Sequence, residues 1–113
     1  MLQNVTANLE RYMDLLSTRQ KLTAANIANA DTPGYQSQDI DFQFEFVTMA
    51  NGERPQIINT PGLASRPDGN NVDVDREARM LAENSLRFNI ASNFARSQLH
   101  QLRSAIQEGN SGS

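Results

Sequence analysis

Two pairs of aspartates separated by one residue have the spacing in this sequence that could hold a metal ion. Asp39 and Asp41 form the first pair, and Asp73 and Asp75 form the second. Carboxylate oxygens suit Ca²⁺, but a calcium loop also needs a central glycine and a distal glutamate at set positions. Neither pair has these residues, so we expect no metal site. We expect helix caps and local turns instead, with Asp73 or Asp75 as the N-cap of a helix.

Other arrangements of residues that support catalysis are missing. His100 is the one histidine, and it falls between Leu99 and Gln101 in a predicted helix, where a surface or interface position is the ordinary interpretation. The sequence has no cysteine, which excludes thiolate chemistry and disulfides. Phosphate-binding loops, nucleophile elbows and dinucleotide fingerprints are absent. We therefore expect no enzymatic activity and no cofactor.

The most informative segment is AANIANADTPGY, residues 24–35. Asn26 and Asn29 lie one helical turn apart among alanines, so their amides can bond neighbouring backbone or facing chains. Pro33 and Gly34 are typical of the two central positions of a type II turn that ends at Tyr35. The segment is either a helix end followed by a turn or a contact site for other chains.

The composition indicates a chain that depends on partners. Of 113 residues, 38% are hydrophobic and 6% are aromatic, and there is no tryptophan. A short chain already buries a small fraction of its surface, so we expect other chains to complete its apolar packing. The net charge is −3 and Lys21 is the only lysine, which argues against a nucleic-acid partner and a polybasic membrane anchor.

The hydropathy pattern also predicts no membrane span, because no apolar run approaches the ~18 residues that one requires. The segment MLQNVTANLERYMDLL lacks the basic, apolar and small-residue regions of a Sec-type signal, so we expect no cleavable signal.

The distribution of proline and glycine divides the chain. Segments 1–30 and 76–108 contain neither residue. We predict a mainly α fold in which an N-terminal helix (1–31) and a C-terminal helix (73–108) pair as a coiled-coil-like hairpin. The centre, 32–72, is predicted as turn and loop with room for a small β-hairpin, and 109–113 as a flexible tail after a stop at Gly109. That hairpin would have its first strand at 42–48, a turn at Asn51–Gly52 and a return strand at 56–58.

The C-terminal helix has two apolar stripes. The first keeps an unbroken heptad spacing from Ala78 to Ile106, and the second lies off this seam. A hairpin core explains one stripe, whereas two stripes favour packing into a multi-chain helical assembly. The interface residues that we select are Leu81, Phe88, Leu99, Leu102 and Ile106 on the seam, and Leu86, Ile90 and Phe94 on the second face.

The run ANIANADTPGY, residues 25–35, resembles the N-terminal signature of bacterial flagellar rod, hook and hook-associated axial proteins. QDIDF at 38–42, DGNNVDVDRE at 68–77 and AENSLRF at 82–88 are similar to the small proximal rod subunits of that family. The resemblance covers residues 1–42 and 68–107 and does not cover 43–67. It marks as assembly-motif residues Asn26, Ile27, Ala28, Asn29, Asp31, Thr32, Pro33, Gly34 and Tyr35.

This resemblance implies a structural subunit of the proximal rod of the flagellar basal body, exported by the flagellar type III apparatus. Its terminal helices would pair into an inner domain that stacks around a central channel in the periplasmic space. The implied partners are further copies of the chain, other rod proteins, the membrane ring and export gate, and the small adaptor FliE. Two alternatives stay open: another small rod subunit of the family, and a soluble helical adaptor or binding module.

Overall fold

The computed structural model describes residues 2–48 and 54–111. Within those residues the chain forms two long helices that enclose a small central unit of two strands and one short helix. In chain order the elements are α1 (Leu2–Ala28), β1 (Gln38–Ile40), α2 (Phe42–Thr48), β2 (Ile57–Asn59) and α3 (Val74–Ser111).

The two long helices pack against each other in an antiparallel hairpin, which confirms the predicted fold class. Gln20 contacts Ser85 towards the closed end of the hairpin, and Thr6 and Leu102 line one groove towards the open end. The molecule measures 73 × 25 × 17 Å, with a radius of gyration of 18.8 Å. A compact domain of this length has a radius of gyration of about 13 Å, so the elongated shape leaves little interior to fill.

The ends of α3 show one confirmed prediction and one wrong prediction. The backbone N–H of Arg76 donates to Asp73 Oδ1 at 3.1 Å, which makes Asp73 the N-cap. The helix continues through Gly109 to Ser111, so the predicted stop at Gly109 was wrong. Glycine ends a helix where it adopts the left-handed conformation, and Gly109 is not one of the glycines with positive φ.

The end of α1 also differs from the prediction, because the helix ends at Ala28 and the chain continues in turns. The N–H of Thr32 donates to the carbonyl of Asn29 at 3.0 Å in the first of these turns.

The centre contains a two-stranded antiparallel sheet in which Asp39 pairs with Ile58. This confirms a small antiparallel strand pair whose second strand, Ile57–Asn59, overlaps the predicted return strand at 56–58, but α2 lies between the two strands, so they do not form the predicted hairpin. The first strand was placed wrongly, because it is Gln38–Ile40 and not 42–48. The predicted turn at Asn51–Gly52 lies outside the described residues.

Residues 42–48 form the helix α2 because the preceding residue caps it. Asp41 Oδ1 accepts the N–H of Phe44 at 3.2 Å, as an N-cap does. The alternating phenylalanines suggested a strand, but residues i and i+4 also share a face of a helix. Phe42 and Phe46 use that face to contact the Tyr12 ring edge to face, with centroid distances of 5.5 and 6.0 Å. Seven residues are too few to distinguish the two periods by pattern alone.

The interior is small and unusually polar. The apolar residues buried in the described part of the chain are Leu15, Leu16, Ile40, Val72 and Ala91. Twice as many buried residues are polar or charged, including Asn26, Asn70 and Asn84. Hydrogen bonds must satisfy these groups, since an unpaired buried polar group is destabilising. No helix in residues 2–48 and 54–111 combines the length and apolarity needed to cross a membrane.

Candidate assembly site

The turn after α1 has the geometry that its residue types require. The Tyr35 N–H donates to the Thr32 carbonyl at 3.2 Å, and Gly34 has φ of 77°. These values confirm the predicted type II turn. Gly69, with φ of 84°, lies directly against it, because a Cβ on Gly69 would be 3.3 Å from the Gly34 Cα. The Gly34 N–H also donates to the Asp68 carbonyl at 2.9 Å.

Asn26, in the last turn of α1, bonds the backbone of β1 in the way that a neighbouring strand would. Its Nδ2 donates to the carbonyl of Gln38 at 2.9 Å, and its Oδ1 accepts the N–H of the same residue at 3.0 Å. The hydroxyl of Tyr35 also donates to Oδ1 at 3.0 Å. A single buried amide therefore ties the last turn of α1 to the first strand.

Asn70, in the loop before α3, bonds the same turn after α1. Its fully buried side chain donates through Nδ2 to the carbonyls of Asn29 at 2.9 Å and Thr32 at 2.8 Å. Its Oδ1 accepts the N–H of Val72 at 2.8 Å. These carbonyls lie in the turns after α1, where each also accepts a backbone N–H, so Asn70 gives each of them a second partner from the loop before α3. Arg66 adds to this, because its guanidinium donates to the carbonyls of Ala30 and Val72.

A buried carboxylate completes the region at the start of α3. Ser37 Oγ donates to Glu77 Oε1 at 2.9 Å, and Arg76 forms an ion pair with the same oxygen at 3.1 Å. The Ser37 N–H donates to Asn71 Oδ1 at 2.6 Å. Burial, followed by the negative charge of Glu77, raises the pKa of Tyr35 above its ordinary value of 10.0. We call this network, centred on Asn26, Ser37, Asn70, Asn71 and Glu77, the junction.

The motif residues therefore have a defined role within one chain. Asn26, Asn29 and Thr32 bond neighbouring backbone in the same molecule, which is one of the two possibilities that the sequence left open. Ile27 is half-buried, and the exposed members of the motif are Ala28, Asp31, Thr32, Pro33 and Gly34. The exposed edge of the turn is the part available to other chains.

The selected residues of α3 lie on both sides of the contact with α1. The residues of α3 that are buried in the described part of the chain are Glu77, Asn84 and Ala91, each at most 5% exposed. We call these three residues the polar seam. The selected residues are less buried: Leu81 is half-buried, and the exposed ones are Leu86, Phe88, Ile90, Phe94, Leu99, Leu102 and Ile106.

Five of these exposed residues line two apolar grooves along the hairpin, and Leu86 and Ile106 line neither. The Phe88 groove, with a volume of about 420 Å³, contains Phe88, Leu99 and Leu102 from α3 and Met13 from α1. The Ile90 groove, with a volume of about 510 Å³, contains Ile90 and Phe94 from α3, Val5 and Tyr12 from α1, and Phe46 from α2. Leu9 borders both grooves, and the two grooves share no other lining residue.

The residues considered for chemistry have structural roles. Asp39 holds Arg19 through two hydrogen bonds, at 2.9 and 3.1 Å, and Asp41 and Asp73 are helix caps. His100 is exposed on α3. In the part of the chain that the structure describes, no three acidic or imidazole side chains converge as a metal site would require.

The sequence of this chain matches a family of flagellar proteins. The model of the family described as "Flagella basal body rod protein" matches residues 13–36, which contain the whole segment AANIANADTPGY. The flagellar basal body rod protein FlgB of Salmonella typhimurium is 34% identical, over 89% of this chain and 91% of the relative. The chain belongs to the FlgB family of flagellar basal body rod proteins.

Further relatives agree with this assignment. FlgB of Escherichia coli strain K12 is 35% identical with the same coverage, and FlgB of Borrelia hermsii is 29% identical over 83% of this chain and 87% of the relative. The alignment with the Salmonella protein extends over 126 positions, more than the 113 residues of the chain. That relative therefore contains residues for which this chain has no counterpart.

Several residues of the junction and the polar seam were not selected from the sequence. Asn70 and Asn71 fell in a segment predicted as loop, where the run DGNNVDVDRE resembled the family without indicating a role for either residue, and Ser37 had no distinguishing pattern. Glu77 and Asn84 did leave a signal, because they recur with Ala91 at intervals of seven residues, one position before members of the apolar stripe. Polar residues that recur every seven positions, directly beside an apolar heptad stripe, are a pattern that could have identified the buried face of α3.

Proposed function

We propose that this chain is a subunit of the proximal rod, assembled by packing its two long helices against further copies and other rod proteins around a central channel. Family membership supports the basal-body part of this proposal. The observation that carries the assembly part is the excess of apolar side chains on the surface of the single chain. Twelve large hydrophobic residues of the described part are exposed, whereas five apolar residues form its core.

The exposed residues are arranged for packing against helices. Phe88, Leu99 and Leu102 lie along one side of α3, and Ile90 and Phe94 lie along the other. Removing the exposed half of these five side chains from water contributes on the order of 5 kcal/mol. Stabilisation of that size would add substantially to a single chain whose own core is small.

Export and location belong to the same proposal. The chain would leave the cytoplasm through the flagellar type III apparatus and take its place in the rod, in the periplasmic space. It would contact the membrane ring, the export gate and the FliE adaptor at one end and other rod proteins at the other. The paired helices would form the inner domain, and the central unit between residues 32 and 72 would face outwards.

Mass spectrometry of purified basal bodies from the source cell tests the location. We expect this chain in several copies together with the ring and rod proteins. Its absence from basal bodies, with the protein abundant in a stable cytosolic complex, would favour a helical adaptor. If a strain that lacks this gene kept its rods and lost only a neighbouring rod layer, that result would favour the alternative that the chain is another small rod subunit of the family, such as FlgC.

Charged substitutions in the Phe88 groove test the assembly surface. Phe88→Asp and Leu99→Asp should abolish swimming and rod formation, because either would bury an unpaired carboxylate between subunits. Gln101→Asp is the matched control, since Gln101 is exposed on the same helix and lines neither groove. Phe88 and Leu99 are already exposed in the single chain, so the isolated variants should keep their helix content. Normal swimming of both variants would contradict the role of this groove.

A further inference from the structure

The side chains that α3 buries are more polar than those that a helical hairpin ordinarily packs. In the polar seam, Glu77, Asn84 and Ala91 are 1%, 4% and 5% exposed, and two of the three are polar. Phe88 and Ile90, on the two sides of the seam, are 36% and 61% exposed. Helix α3 therefore buries two polar side chains and an alanine and leaves two apolar stripes exposed.

Hydrophobicity alone favours a different arrangement. Successive residues lie about 100° apart around a helix, so a rotation of α3 by about 60° would bring Phe88, and one of about 100° would bring Ile90, to the direction that Ala91 now occupies. Either rotation would remove more apolar surface from water. Something other than apolar burial must hold α3 in its observed rotation.

Hydrogen bonds from Asn84 exist only in the observed rotation. Its Nδ2 donates to the carbonyl of Leu16 at 2.7 Å and to Gln20 Oε1 at 2.9 Å. Gln20 Nε2 in turn donates to Ser85 Oγ at 3.2 Å, so both helices contribute to the network. The Leu16 carbonyl belongs to the helical backbone and has a fixed direction. Turning α3 would separate Asn84 from it and leave a buried amide without that partner.

We propose that Asn84 is a positioning residue that sets the rotation of α3 against α1 and thereby keeps both apolar stripes on the outside. A single asparagine in a helix–helix contact lowers stability relative to an aliphatic residue but selects one register. Glu77 supports the same setting at the start of α3, where its carboxylate accepts the Ser37 hydroxyl. The single chain thus gives up part of its own apolar packing and retains two faces for other helices.

Cysteine reporters can measure the rotation, because the natural chain contains no cysteine. Three single substitutions, Phe88→Cys, Ile90→Cys and Ala91→Cys, are made with Asn84 intact and with Asn84→Leu. The measurement is the rate of maleimide alkylation in dilute protein, followed by intact mass. With Asn84 intact, the exposures predict a rate at position 91 about tenfold below that at position 90.

We expect Asn84→Leu to keep the helix content and to leave the melting temperature unchanged or raised. Alkylation at position 91 should accelerate at least about fivefold, while the rate at position 88 or at position 90 falls. Opposite changes on neighbouring positions indicate rotation, since partial unfolding would accelerate all three. Asn93→Leu is the matched control, because Asn93 is exposed on α3 and the substitution is chemically the same. It should leave the three rates as they are.

Two results would overturn the proposal. An unchanged pattern of rates in Asn84→Leu would show that apolar contacts or Glu77 set the rotation without Asn84. Equal acceleration at all three positions, in Asn84→Leu and also in Asn84→Ala, would show that Asn84 is needed for folding and not for rotation. The measurement uses the single chain in solution, so its outcome is independent of whether the protein is a rod subunit.

Discussion

Replacing Asn70 by aspartate tests the junction with almost no change in shape. The substitution exchanges the Nδ2 group, which donates to the carbonyls of Asn29 and Thr32 at 2.9 and 2.8 Å, for an oxygen. The new oxygen would face two carbonyl oxygens in a position that is fully buried in the native chain. The bond from the Val72 N–H to the remaining oxygen can persist.

The expected loss follows from these contacts. Two hydrogen bonds from a buried amide contribute about 1 kcal/mol each, and leaving a buried polar group without a partner costs about 1–3 kcal/mol more. We therefore expect Asn70→Asp to lower the free energy of unfolding by about 3–5 kcal/mol at pH 7. For a domain of this size the melting temperature should fall by more than about 10 °C.

The loss should depend on pH in a definite direction. Burial and the facing carbonyls would raise the pKa of the introduced carboxyl above the unfolded value of about 3.9. A group with a raised folded-state pKa destabilises the fold as pH rises through that range, so the variant should recover part of its stability near pH 4. Protonation would also restore one donor towards the two carbonyls.

Urea denaturation followed by circular dichroism at pH 7 and pH 4 measures both effects, with the native chain compared at each pH. Asn93→Asp is the control, because Asn93 is exposed and acquires the same charge. A loss below about 1 kcal/mol for Asn70→Asp would refute the reasoning, since that is the size of one ordinary hydrogen bond. A larger loss at pH 4 than at pH 7 would refute the assigned direction of the bonds.

Two further predictions concern the same region. Gly69→Ala should lower the melting temperature more than Gly34→Ala, because both substitutions force alanine into a left-handed conformation at about 1–2 kcal/mol, but only an alanine at position 69 also crowds backbone at 3.3 Å. Thermal denaturation measures both losses, and equal losses would remove the crowding argument. Gly62→Ala is the control, since it gives the conformational loss alone at a position with open space. The raised pKa of Tyr35 predicts that stability is fully present below pH 10.0 and falls as pH rises above that value, because the unfolded chain then loses the proton more readily. Tyr35→Phe should flatten this alkaline dependence in denaturation measured between pH 8 and 11, and an unchanged slope would contradict it.

Much of the fold could be predicted because its signals are local. The absence of proline and glycine defined two long helices, and Asp73 preceded the second as a cap. The Pro33–Gly34 pair specified a type II turn, since only glycine readily adopts positive φ there. The family motif lies in the same segment, and comparison with relatives confirmed the family.

Local signals failed where two structures share one pattern. Phe42, Phe44 and Phe46 alternate as in a strand, yet a helix also brings Phe42 and Phe46 to one face. Tyr12, thirty residues earlier, decided between them by contacting both rings. Gly109 was read as a stop, although nothing in its surroundings required the backbone to leave the helix.

The sequence by itself determined where the two long helices lie, how the chain turns after α1 and that α3 carries two apolar stripes. Only the tertiary structure decided which face of α3 meets α1, because that choice depends on partners far apart in the chain. Asn84 bonds the Leu16 carbonyl, and Asn70 bonds the carbonyls that follow α1, through contacts that residue spacing alone does not reveal. Apolar periodicity records which side chains avoid water, whereas the hydrogen bonds of buried amides require specific distances and directions that exist only once the helices are packed.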